Sequence, residues 1–205
     1  MLTFEQFLHD TLEKGRAINT LFEERLFELV GTLERIAGPL AAAKIPYEVI
    51  GGMAVMVQVN RVEPSAVRNT KDIDIMILRA DLERIKQVAQ HHGFTFRHAA
   101  SVDMLLPHGE TKAGNAVHLV FSGEKTKANQ AVANPPLRPE HLSLHGIEVA
   151  VIPVLDLVLM KLANNRDIDR VHVRDLGSVG LITPEIEKAL PPVLHARLQE
   201  IRSTE

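Results

Sequence analysis

With 205 residues, 45% of them hydrophobic, the chain can bury a sizeable core, as one domain or as a domain with a helical annex. Its formal net charge of −3 argues against a broad basic surface for nucleic acid, and the absence of cysteine excludes disulfides, thiolate zinc sites and cysteine nucleophiles. Met1 to Gln6 show no basic region leading into an apolar run, and no stretch approaches membrane-spanning length, so a cytoplasmic protein with no membrane partner is expected.

Residues 3–43 read as helix in two pieces, with Phe4, Phe7, Leu8 and Leu12 at helical spacing, then Phe22, Leu26, Leu29, Val30, Leu33 and Ile36. Gly38-Pro39 and Ile45-Pro46 interrupt that pattern, and Tyr47 to Ile50 reads as a short buried strand. A helix to Asn60 begins at the Gly51-Gly52 pair, and residues 61–69 form a loop around Pro64 and Ser65. A strand from Asp72 to Leu78 follows, then an amphipathic helix capped by Asp81 and ending near Gly93. Extended stretches are expected at 94–97, 102–106 and 116–121, with Gly109 and Gly114 marking the turn between the last two.

The polar, proline-containing segment 122–146 reads as a linker or excursion, and 147–152 as a strand. Pro153 opens a helix to Asn164, and further helices run from about Ile168 to Val179 and from Pro184 to the end. Strands and helices alternate in the middle with helices at both ends, which predicts an α+β core with helical flanks. The expected division is a helical segment 1–44, a core 45–122, a linker 123–146, and a strand with a helical region 147–205.

The chemistry concentrates at two places. A strand running into Gly51-Gly52 and a helix lets backbone approach a polyphosphate, whose charge the helix N-terminal amides attract. On the next strand Asp72 and Asp74 would point to one side, with Ile73 and Ile75 toward the core. Two carboxylates about 4 Å apart repel by roughly 4 kcal/mol at an effective dielectric of 20, and a divalent cation is the usual offset. Lys161, Arg68 and Lys71 are candidates to neutralise phosphate charge. The alternative, a packing turn beside incidental acids, leaves two aspartates on one strand face without a cause.

The order Ile50-Gly51-Gly52, then Asp72-Ile73-Asp74-Ile75, resembles the DNA polymerase beta-like nucleotidyltransferase superfamily. Arg68 and Thr70 before the aspartates, the helix Leu157-Val158-Leu159-Met160-Lys161-Leu162, and the later Arg166, Asp169 and Arg174-Asp175-Leu176 look like its bacterial abortive-infection toxin branch. The resemblance covers about residues 45–176 and implies a mixed β-sheet with helices packed on it. It also implies a Mg²⁺ site at Asp72 and Asp74, holding one or two ions, with Gly51, Gly52, Arg68, Thr70, Lys71 and Lys161 on the nucleotide.

The implied reaction moves a nucleoside monophosphate from an NTP to a hydroxyl on RNA, protein or a small molecule. An antitoxin or a second copy of the chain is an implied partner. One departure stands out: a third carboxylate is usual on a later strand, and His118 occupies that place in Ala116-Val117-His118-Leu119-Val120-Phe121. Asp103 is the alternative third acid, and a weakly catalytic nucleotide-binding regulatory module is the alternative function.

Other signals are discounted. His141 and His145 sit in a proline-bounded segment with no glutamate after the first, unlike a zinc helix. His172-Val173-Arg174-Asp175 matches a kinase loop only in letters, with no glycine-rich kinase loop beside it. An ion pair on a helix is the expected role of Arg174-Asp175.

Overall fold

The computed structural model describes residues 3–68, 70–110, 116–144 and 146–204. Asn69, Gly114 and His145, and the side chains of Phe4, Phe7, Leu8, Leu12 and Phe22, lie outside the described set.

The first helix, α1 (Phe4–Ala42), is continuous where two pieces are expected, and Pro39, expected to interrupt it, falls in its last turn, where only the Arg35 carbonyl loses an amide partner. Leu33, Ile36 and Leu40, all fully buried, hold that end against the core. Lys44, at φ 54°, turns the chain into β1 (Tyr47–Ile50), which leads without an intervening loop into α2 (Gly51–Asn60). After a short turn at Pro64–Ala66 comes β2 (Ile73–Ile77), so Asp72 precedes the strand rather than opening it. Helix α3 (Leu82–His91) follows, and here Asp81 does not cap: its carboxylate accepts from Arg84 Nη1 at 2.8 Å instead.

Strands β3 (Phe94–Ala99), β4 (Val102–Pro107) and β5 (Val117–Phe121) form near the expected places. The segment expected as linker contains β6 (Glu140–Leu144), which makes an antiparallel hairpin with β7 (Ile147–Val151), so the boundary drawn at 146/147 cuts a paired unit. Helices α4 (Val154–Asn164) and α5 (Asp167–Ser178) come next. The C-terminal helix is split at Pro191-Pro192 into α6 (Pro184–Ala189) and α7 (Pro192–Ser203).

The seven strands form one mixed sheet in the order β3-β4-β5-β2-β1-β7-β6. β1 and β2 are antiparallel, while β2–β5 and β1–β7 are parallel. Directly opposed residues share a face. One face therefore carries Tyr47, Val49, Ile73, Ile75, Ile77, Val117 and Leu119, all buried in a core cluster with Leu33, Ile36, Leu40 and Ile85. The other face carries Glu48, Ile50, Asp74, Met76, His118 and Val120, and this face bears the chemistry. Among the described residues no helix is long and apolar enough to cross a membrane.

Candidate active site at the Gly51 turn

Antiparallel pairing sets Ile50 opposite Asp74, and parallel pairing sets Asp74 opposite His118. The end of β1, the start of β2 and the start of β5 thus meet at one point. His118 Nδ1 lies 3.2 Å from Asp74 Oδ1, and both side chains are partly exposed, at 22% and 30%. His118, expected to take the place of a third acid, is therefore in hydrogen-bond contact with Asp74.

The glycine pair owes its identity to these neighbours. Gly51 has φ +71°, and a Cβ there would lie 2.1 Å from Asp74 Oδ2. At Gly52 an added Cβ would meet Thr70 Oγ1 at 2.6 Å. Both positions exclude a side chain, so β2 and the preceding loop close directly onto the turn. Thr70 is buried, and its hydroxyl donates to the Asp72 carbonyl at 3.3 Å. The N-terminus of α2 has no side-chain cap, which leaves its first amides available to an anion beside Asp74.

A buried charge network backs the site. Asp169 is fully buried and accepts from Arg166 Nε at 2.7 Å, Arg166 Nη2 at 3.1 Å and the Arg166 amide at 3.2 Å, with Lys161 Nζ at 3.3 Å. Burial alone would raise the Asp169 pKa, yet the Arg166 hydrogen bond and the two cations hold it below the usual carboxylate range. Burial pulls the Lys161 ammonium down, against the charges of Asp169 and Asp74. The Asp74 charge is felt by both Lys161 and Arg166, so this cation pair belongs to the Asp74 neighbourhood. His172, about one turn along α5 from Asp169, is pushed down to about 4 by burial and by the Lys161 charge, and stays neutral near pH 7. Its Cε1 is 3.6 Å from where a Gly52 Cβ would stand.

Other candidates lie elsewhere or are otherwise engaged. Asp103 sits opposite Leu119 while Met104 sits opposite His118, so Asp103 is on the other face of the sheet. There it lies 2.6 Å from His98 Nδ1, and the structure does not bring it to Asp74. Arg68 donates from Nε to Asp175 Oδ1 at 2.8 Å, joining the loop before β2 to α5. Lys71 is exposed, and its carbonyl accepts from Arg25 Nη2 at 3.0 Å. Asp72 is partly exposed and engages no side-chain partner among the described residues.

Among the described residues no group of three or more His, Asp or Glu side chains is gathered tightly enough to hold a metal ion by itself. Asp72, whose side chain engages no partner among the described residues, and Asp74, at the uncapped helix end, offer carboxylates of the kind that hold Mg²⁺, a cation usually held by one or two carboxylates plus water and substrate phosphate.

A second group was not anticipated from the sequence. Glu48, in a strand expected to be buried, is itself fully buried, on the Asp74 face. One of its oxygens, Oε1, accepts the Arg138 amide, and the Arg138 guanidinium forks onto Asp156 (2.5 and 2.6 Å). The only signal for it was an acid inside a buried strand, which at the sequence level has no visible partner.

The sequence profile of a family described as an uncharacterised nucleotidyltransferase matches residues 2–172. None of the curated proteins compared with the sequence is significantly similar to it. Among solved structures, the antibiotic-resistance factor ANT(2'')-Ia aligns over 88% of this chain and 95% of its own, with TM-score 0.56 and 13% identity. An antigenic nucleotidyltransferase-like protein from Paracoccidioides brasiliensis aligns over 87% and 88%, with TM-score 0.55 and 14% identity. The Megavirus polyadenylate synthase covers 89% of this chain with 39% of its own, at TM-score 0.54 and 9% identity. At these identities the likeness is one of fold.

Proposed function

This chain belongs to the uncharacterised nucleotidyltransferase family, and from that premise we propose that it transfers a nucleoside monophosphate from an NTP to a hydroxyl acceptor in a Mg²⁺-dependent reaction. The observation that carries the reading is the convergence on Asp74: the side-chain-free Gly51 turn, the His118 imidazole, and the Lys161–Arg166 cations.

In this reading Asp72 and Asp74 hold Mg²⁺ together with the triphosphate. The ion, when bound, neutralises phosphate charge and makes the acceptor hydroxyl more acidic. Gly51, Gly52 and the first amides of α2 take the phosphates at close range. Lys161, kept in place by Asp169, and Arg166 add positive charge where pyrophosphate leaves. With Nδ1–H donated to Asp74, the Nε2 of His118 accepts the proton of the attacking hydroxyl. Arg68, Thr70 and Lys71 line the approach, with Thr70 setting the position of Asp72.

The direct test incubates the purified chain with each α-labelled NTP, Mg²⁺, and RNA, protein and small-molecule acceptor pools. Label transfer that disappears in Asp74→Ala supports the reading; no transfer to any pool sinks it. The His118 position favours a second reading, a nucleotide-binding regulatory module or a toxin–antitoxin component of the same fold. Calorimetry with a non-hydrolysable NTP separates the two: metal-dependent binding without turnover selects the module. The abortive-infection branch is supported by the gathering of Lys161, Arg166 and Asp169 behind Asp74. Growth arrest on expression, lost in Asp74→Ala, would place the chain there.

A further inference from the structure

β5 ends at Phe121, paired with Ile77 at the far end of β2 from Asp74, whereas β6 begins at Glu140, opposite Val151, which itself pairs with Val49 near the site end of β1. To join them, residues 122–139 must pass β2, β1 and β7. They cross on the Asp74 face, because the Arg138 amide bonds to Glu48, and Glu48, Ile50, Asp74 and Met76 share that face. Met76 and Glu48 are fully buried there, and Ala131, Val132 and Leu137 of the crossing segment pack onto the core.

The segment has its own frame. Ser122 donates its amide to the Ile77 carbonyl at 2.9 Å and its hydroxyl to the Pro135 carbonyl at 2.9 Å. The buried Asn134 donates to the Phe121 carbonyl at 3.0 Å and accepts from Gln130 Nε2 at 3.0 Å. Its far end hangs on one cluster: the Arg138 amide on Glu48 and the Arg138 guanidinium on Asp156. Glu48 is one same-face step from Ile50, and Met76 one step from Asp74, about 7 Å along the strand.

We infer that residues 122–139 form a strap beside the Asp74–His118 site, latched when Glu48 is protonated and loosened when Glu48 ionises. The geometry gives the reason. Closed, the strap supplies one amide to Oε1, while Oε2 is buried with no hydrogen-bond partner among the described residues. A carboxylate in that position keeps one oxygen desolvated; opening the strap lets water reach it. The charged groups facing Glu48 are Arg138 from the strap and Asp156 from α4, while β2 presents the apolar Met76. Asp156 opposes ionisation and Arg138 favours it. Burial with the Asp156 charge prevails, pushing Glu48 from 4.5 to about 7.

The open strap returns Glu48 to its ordinary value, so the closed-to-open ratio falls as pH rises between these limits. An acceptor approaching Asp74 along this face therefore meets a narrower site in mild acid.

The test is hydrogen exchange in the intact chain, read at the Arg138 amide and corrected for intrinsic exchange, with the β1 amides as reference. Between pH 5.5 and 8.5 its protection should fall by roughly ten- to a hundredfold. It should remain below β1 protection throughout, and Glu48→Gln should be flat. An equal pH response in Glu48→Gln, no response in the natural chain, or strap protection equal to that of β1 overturns the proposal. If Glu48→Gln does not fold, Asp156→Asn decides. It removes the opposing charge and should move the midpoint to lower pH; an unmoved midpoint refutes the latch.

Discussion

Replacing Gly51 with alanine tests the geometry on which the site depends. At φ +71° an L side chain carries about 1–2 kcal/mol of backbone strain. The new Cβ would lie 2.1 Å from Asp74 Oδ2, 3.0 Å from Asp74 Cγ and 3.1 Å from Asp74 Cβ. Rotating the carboxylate relieves the first contact only, so the start of β2 must also move, at a typical overpacking cost of roughly 1–3 kcal/mol. Together these predict a loss of about 2–5 kcal/mol, or roughly 5–15 °C in Tm for a chain of this size.

Because Asp74 is displaced by about an ångström, turnover should fall by roughly a hundredfold, more than the stability change accounts for. Gly52→Ala is the contrast. It carries no positive φ and meets Thr70 Oγ1 at 2.6 Å, so adding Thr70→Ala should restore much of its stability. No substitution at Thr70 should rescue Gly51→Ala. Calorimetric unfolding and a label-transfer assay read the two effects, and a Gly51→Ala protein with natural Tm and natural turnover would refute the reasoning.

Glu48→Gln should flatten the pH dependence of stability. Between about 4.5 and 7 the folded chain retains a proton that the unfolded chain has released, so stability falls as pH rises through this window, by up to about 3 kcal/mol; denaturant midpoints at pH 5 and 8 measure it, and an unchanged slope in the variant contradicts it. Asp169→Asn leaves Lys161 buried beside an uncharged partner and should lower stability by roughly 3–5 kcal/mol at pH 7, together with weaker nucleotide binding by calorimetry. Since the Asp169 pKa is depressed, its contribution is present above the ordinary aspartate range and is lost in acid, so the variant and the natural chain should converge in stability toward low pH. His118→Ala should cut turnover by roughly a hundredfold or more while nucleotide affinity changes little, which separates a proton-transfer role from a binding one.

Much of this was legible along the chain because its physical cause is local. Helical spacing located α1 and α3, Pro153 marked the start of α4, and a glycine pair at a strand end announced a turn that no larger residue can make. Where local signals conflicted, position decided: Pro39 did not break α1, because it falls in the last turn and costs the helix a single amide, with Leu40 beyond it buried in the core. Asp72 falls outside β2, so Asp74 alone of the pair sits in the ladder.

The amino-acid order by itself set the Gly51-Gly52 turn, the aspartate pair and the Lys161 helix, and with them the family. Only the tertiary structure decided what stands next to Asp74. His118 reaches it through a parallel pairing between residues 44 apart in sequence, and the same registers send Asp103 to the opposite face. It also decided that Gly51 makes room for a carboxylate, and that Glu48 is buried under the segment 122–139. Strand order and crossing path arise from how the whole sheet buries its apolar face, and no local pattern encodes them.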